Sequence, residues 1–226
     1  MKLAGSKPTS LVATAAHGFR AIFQLTNPDI RMTDGALIPK EEIGIKWVRM
    51  VDSREDALRD LITIQNFGLN PISFPISLTF RAEFEDVFAV RGLYPEKLGK
   101  LHPAEWQRGA LNFAYDGADN LYRCAVVRFS QEPDSTEGST AQFNVSLRPE
   151  ETRQILVSVF VKESTEPNKG AQEGDSQPDL SKLEASLHRS SEEWLSEETE
   201  VRSDSPSAFS RLRLSGCSSC LSGRSI

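Results

Sequence analysis

Between Ile72 and Phe84 the chain reads ISFPISLTFRAEF, with Ile72, Phe74, Ile76, Leu78, Phe80, Ala82 and Phe84 on every even position. This is the two-residue period of a strand with one buried face, whereas the apolar stripe of a helix returns every three or four residues. The odd side chains, Ser73, Ser77, Thr79, Arg81, Glu83 and Glu85, then share the opposite, solvent-facing side. Pro75 has no N–H for a ladder bond, so it predicts an edge strand or a bulge near the start of the run.

The same alternation recurs upstream and downstream. Further strands are predicted over 19–26, 43–51, 58–67, 87–90, 111–115, 121–129, 141–147 and 153–161. They are separated by turn-forming stretches such as NPD (27–29), DGADN (116–120), EPDSTEGS (132–139) and RPEE (148–151). Many short strands at this spacing, with little helical pattern between them, imply an all-β antiparallel sandwich over residues 15–162. Residues 1–14 read as a poorly ordered N-terminus. Hydrophobic residues are 38% of the 226-residue chain, and the shortfall is concentrated after Lys162. There, 163–179 reads as a linker and 180–200 as a short amphipathic helix bearing Leu180, Leu183, Leu187 and Trp194, while 201–226 reads as a disordered tail.

A net charge of −6 argues against nucleic acid as the main partner, which requires a basic face. No apolar run is long enough to span a bilayer. Ser6, Lys7 and Pro8 interrupt what would otherwise be a weak secretory signal. Three cysteines, Cys124, Cys217 and Cys220, make no disulfide framework, which fits a reducing compartment and a cytoplasmic location.

The chemistry-bearing residues are sparse. Glu83 and Glu85 stand about 6–7 Å apart on one strand face, a separation some glycosidase carboxylate pairs show. A catalytic acid also needs a raised pKa from burial or a like charge in a cleft, and a solvated strand face supplies neither. Glu83, Glu85 and Asp86 therefore read as the polar edge of a sheet. Cys217-Ser-Ser-Cys220 matches a bare C-x-x-C, but His17, His102 and His188 stand at no finger spacing and the Ser/Gly context offers no thiolate-stabilising helix. The pair reads as incidental, and Cys124 as a small buried hydrophobe. There is no phosphate loop and no nucleophile elbow. Neither a metal nor a cofactor is expected. Trp47 falls in phase with core positions; Trp106, in KLHPAEWQRG, is the better candidate for an exposed aromatic, with a loop-anchoring role as the plainer reading.

Three blocks, LTNPDI (25–30), ITIQNFGLNPISFPISLTFRAEFEDVFAVRG (62–92) and SLRPEETRQILVSV (146–159), resemble in order and spacing the amino-terminal domain of bacterial-type glycogen debranching enzymes, the amylo-α-1,6-glucosidase-like family. The resemblance implies a β-sandwich of the supersandwich type that precedes a large helical barrel, and it implies that the carboxylates cleaving the α-1,6 bond lie in that barrel. The expected partners are accordingly the barrel and an α-glucan, with no nucleic acid or membrane. Two departures stand out. Met1 to Thr14 shows none of the glycine-leucine segment and first hairpin of relatives, and after Phe209 the approach to the barrel gives way to SRLRLSGCSSCLSGRSI, as in a truncated or frameshifted member. The leading expectation is a non-catalytic scaffold domain. The alternatives are a stand-alone glucan-binding module and an active α-1,6-glucosidase using Glu83 with Glu85 or Asp86. Asn27, Asp86 and Arg91, at strand ends within the matching blocks, and Trp106 are the candidate binding residues, and no catalytic residue is assigned.

Overall fold

The computed structural model describes residues 1–16, 20–32, 35–52, 55, 57–84 and 99–165, and among these it is all-β, with fifteen strands. They run β1 (Lys2–Leu3), β2 (Thr9–Ala16), β3 (Arg20–Thr26), β4 (Ile30–Arg31), β5 (Leu37–Ile38), β6 (Ile43–Asp52), β7 (Ala57–Asn66) and β8 (Ile72–Thr79). After these come β9 (Lys100–Leu101), β10 (Glu105–Gln107), β11 (Ala110–Asp116), β12 (Tyr122–Phe129), β13 (Ser135–Glu137), β14 (Thr140–Leu147) and β15 (Thr152–Ser164). The expected strand over 87–90, the linker beyond Thr165, the short helix and the tail lie outside the described residues.

Two antiparallel sheets carry the fold. The smaller has the order β1-β8-β14-β13; the larger runs β10-β11-β12-β15-β7-β6-β3-β2, with β9 added beside β11. β4 and β5 form a separate hairpin. The even positions of β8 (Ile72, Phe74, Ile76, Leu78) meet Phe143, Val145 and Leu147 of β14 and, from the larger sheet, Ile43, Ile45, Ile62, Ile64, Leu111, Val127 and Ile155 in one core. Burial follows the alternation: in β8 the even residues are buried and Ser73 and Thr79 are exposed. β12 and β15 instead bury runs of four, Cys124–Val127 and Ile155–Ser158, because these central strands bury residues on both faces.

Three expectations need correction. The alternation reaches Phe84, but the strand stops at Thr79, where the partner also ends: Thr79 faces Thr140, the Phe80 N–H bonds Ser139, and Gly138 turns away at a φ of 54°. Pro75 lies in a strand paired on both sides, not at an edge. Its carbonyl accepts from the Ala4 N–H (2.7 Å), so its missing donor faces the same side, where β1 is only two residues long (Lys2–Leu3). Residues 1–14 are not an unstructured lead-in: Leu3 is fully buried beside Ile76, and β2 pairs along β3.

Candidate functional site

The LTNPDI block closes a loop. β3 ends at Thr26, the chain passes through the β4–β5 hairpin, and it rejoins the sheet at Ile43. Asn27 sits at the base of this excursion, 1% exposed. Its amide nitrogen donates to the carbonyls of Pro28 (2.8 Å) and Pro39 (2.7 Å), and its Oδ1 accepts from the Ile43 N–H (2.7 Å). The Asn27 carbonyl accepts from the Glu41 N–H, and Thr26 Oγ1 donates to the Ile43 carbonyl. Both amide protons are therefore engaged by backbone carbonyls, and the side chain acts as a buried bolt across the loop mouth.

Trp106 bridges the two sheets. It lies in β10 of the larger sheet, and its Nε1–H donates to the carbonyl of Gly138 (2.8 Å), in the β13–β14 turn of the smaller one. The indole stacks on Phe129 at 6.1 Å between centroids, and Phe129 in turn meets Phe80 and Phe143. The KLHPAEWQRG stretch, read as loop, thus contains the short strands β9 and β10. Asp86, Arg91 and Glu85 lie outside the described residues. Glu83 is exposed, whereas Ala82 and Phe84 on either side of it are half-buried against the core. Phe84 stacks on Tyr115 with rings 5.5 Å apart and nearly parallel.

Two buried ionic groups escaped the sequence reading. Asp60 of β7 is 4% exposed and accepts both prongs of Arg49, its cross-strand neighbour on β6, at 2.8 Å each. That bond raises the Arg49 pKa against the opposing effect of burial. The Arg49 guanidinium also lies over Trp47 (5.4 Å), which meets Phe23 edge-on. One residue along, on the other face, Arg59 is 3% exposed; it contacts Asp52 and Glu55 and donates to Ser158 Oγ on β15. The sequence signal was present: a hairpin between β6 and β7 sets Arg49 opposite Asp60 and Asp52 opposite Ala57. At the other edge His102 Nε2 lies 2.8 Å from Asp116 Oδ2, both partly exposed. Among the described residues, no three His, Cys, Asp or Glu side chains converge as metal ligands would. Cys124 is buried in β12, and burial pushes its thiol pKa up, away from the reactive thiolate.

Comparison with known proteins turns this architecture into a family assignment. Residues 1–158 match the N-terminal domain of (some) glycogen debranching enzymes. The chain belongs to that family. The match of this debranching-enzyme domain spans residues 1–158 and so includes β1 and β2. No curated protein matches the sequence. Among solved structures, a protein described as a kojibiose phosphorylase, from the human microbiome, aligns with 13% identity and a TM-score of 0.41. The alignment covers 76% of this chain but only 21% of that one. A protein described as an aldose 1-epimerase, from Escherichia coli, aligns with 6% identity and a TM-score of 0.33, over 70% of this chain and 69% of that one. A galactose mutarotase-like protein from Clostridium acetobutylicum aligns with 9% identity and a TM-score of 0.33, over 71% and 68%. Among the described residues, no helix is long and apolar enough to cross a membrane.

Proposed function

We propose that this debranching-enzyme N-terminal domain is a non-catalytic scaffold that packs beside a helical-barrel catalytic domain and forms one wall of its glucan cleft. The observation that carries the reading is how the conspicuous polar groups are engaged. Asn27 bolts a loop, Trp106 ties the sheets together, and Asp60 and Arg59 are held in buried pairs. Glu83, the described member of the acidic run, is exposed, not enclosed in the kind of apolar cleft in which a glycosidase holds its catalytic acid.

The test is glucose release from a limit dextrin by three samples: the chain alone, a separately expressed barrel domain from a longer family member, and the two together. The scaffold reading expects no release from the chain alone and faster release from the mixture than from the barrel. Release by the chain alone, abolished in Glu83→Gln, would make it an α-1,6-glucosidase. Glycogen binding without turnover, weakened in Trp106→Ala, would make it a glucan-binding module.

A further inference from the structure

The β7–β8 connection, Asn66 to Pro71, holds two large apolar side chains in water on a backbone that is bonded down from three sides. Asn66 has no exposed surface. Its amide nitrogen donates to the carbonyls of Asn70 (2.8 Å) and Leu147 (3.3 Å), and its Oδ1 accepts from the Gly68 N–H (2.8 Å). Its backbone N–H reaches the Glu151 carbonyl, its carbonyl accepts from the Glu150 N–H, and the Phe67 N–H bonds the Glu42 carbonyl. On this frame Phe67 is 62% exposed and Leu69 91% exposed. The Phe67 ring rests over Gly44 so closely that a Cβ there would come within 2.2 Å of its Cε2. The absence of a side chain at Gly44 is what seats the ring.

A rigid loop presenting an aromatic and a leucine to solvent has already met the ordering cost that binding otherwise carries, the property of an interface anchor. The surroundings indicate the kind of partner. Glu42 packs against Gly68, and Glu150 and Glu151 stand in the turn that bonds Asn66, with Glu41 next in sequence; Lys40 and Arg148 offset only part of this charge. A second copy would bring an equally acidic rim against the first, which opposes self-association. We infer that Phe67 and Leu69 are the anchor by which this domain docks into an apolar, lysine- or arginine-edged pocket on its helical-barrel partner. This rests on the scaffold reading above and names its point of contact.

Isothermal titration of the chain with the separately expressed barrel domain, first shown to be folded by circular dichroism, tests it. Phe67→Ser and Leu69→Ser are each expected to weaken binding at least about tenfold, since both remove an anchor side chain. Leu69→Ser should leave the thermal unfolding of the chain unchanged, because that side chain is 91% exposed, and Phe67→Ser should lower it only slightly, through the loss of the ring's contact over Gly44. Glu150→Lys should weaken binding as well, and raised salt should weaken the wild-type complex. Equal affinity for wild type and both serine variants overturns the docking site while leaving the scaffold reading intact; absence of wild-type binding overturns both. If Phe67→Ser abolishes maltoheptaose binding and leaves barrel binding unchanged, the loop is a sugar contact and the docking inference falls.

Discussion

Replacing Asn27 with alanine discriminates between a loop bolt and a ligand contact. The substitution leaves the Ile43 N–H, in a residue with no exposed surface, without an acceptor. An unsatisfied buried donor costs about 1–3 kcal/mol. The carbonyls of Pro28 and Pro39 lie in half-buried and exposed residues and can turn to water, so their two lost bonds together add about 1 kcal/mol. The total, about 2–4 kcal/mol, corresponds to a fall in Tm of about 4–16 °C for a domain of this size. Asn27→Asp sharpens the test. It keeps an acceptor for Ile43 but turns carboxylate oxygen toward the Pro28 and Pro39 carbonyls, which favours the protonated acid in the folded state. A group whose folded pKa is raised keeps its full stabilising contribution below its unfolded value and loses it as pH climbs from there through the folded one. The defect should therefore be small below about pH 4 and grow above it. Thermal unfolding followed by circular dichroism across pH 3–8 (roughly, the span of that titration) reads both variants. A Tm for Asn27→Ala within about 1 °C of wild type, equivalent to less than ~0.5 kcal/mol, would refute the bolt and return Asn27 to the pool of ligand contacts.

Arg49→Met strands Asp60, which is 4% exposed, and should cost about 3 kcal/mol, recovered in large part by adding Asp60→Leu; a denaturant series on the single and double variants measures this. Trp106→Phe keeps the stack on Phe129 but removes the Nε1–H bond to Gly138, so a loss of only about 0.5–1.5 kcal/mol is expected, against about 3–5 kcal/mol for Trp106→Ala. The exposed Asp119 carboxyl is held down to about 2 by hydrogen bonds from Arg123 and the Leu121 N–H, from an ordinary value near 3.8. Its pairing is therefore fully present above about pH 4 and lost as the pH falls through about 2. An NMR titration should show that midpoint move up toward the ordinary value in Arg123→Gln.

The strands that bury one face were legible because their period of two is a direct imprint of burial. β8 reads correctly from Ile72 to Thr79 and β14 from Ala141, whereas β6 follows the expected face only at Ile43 and Ile45 and then buries Val48 and Met50 on the other, leaving Trp47 half-buried. β2 was not legible. TSLVATAA lies at the edge of the larger sheet with Leu11 60% and Val12 47% exposed, so neither face imposes an alternation on its small residues. Two-residue β1 carries too little sequence for any period; it is an element only because Leu3 fills a hole beside Ile76.

At the candidate site the division has the same origin. NPD at 27–29 announced a turn, yet nothing local said that the Asn27 amide would reach Pro39, twelve residues on, and Ile43. Glu83 is exposed, as its odd position implies, although the strand that this parity presumes ends at Thr79. Arg49 and Asp60 became partners only through the register of β6 on β7, and Trp106 became a strap only when the two sheets stacked. Composition and periodicity thus determined the all-β class and the inward face of strands that bury one side, such as β8 and β14, since both are set by neighbours along one strand. Tertiary structure alone decided which buried polar groups are satisfied, and by whom, because a hydrogen bond across the sandwich depends on register and sheet packing that no single strand encodes.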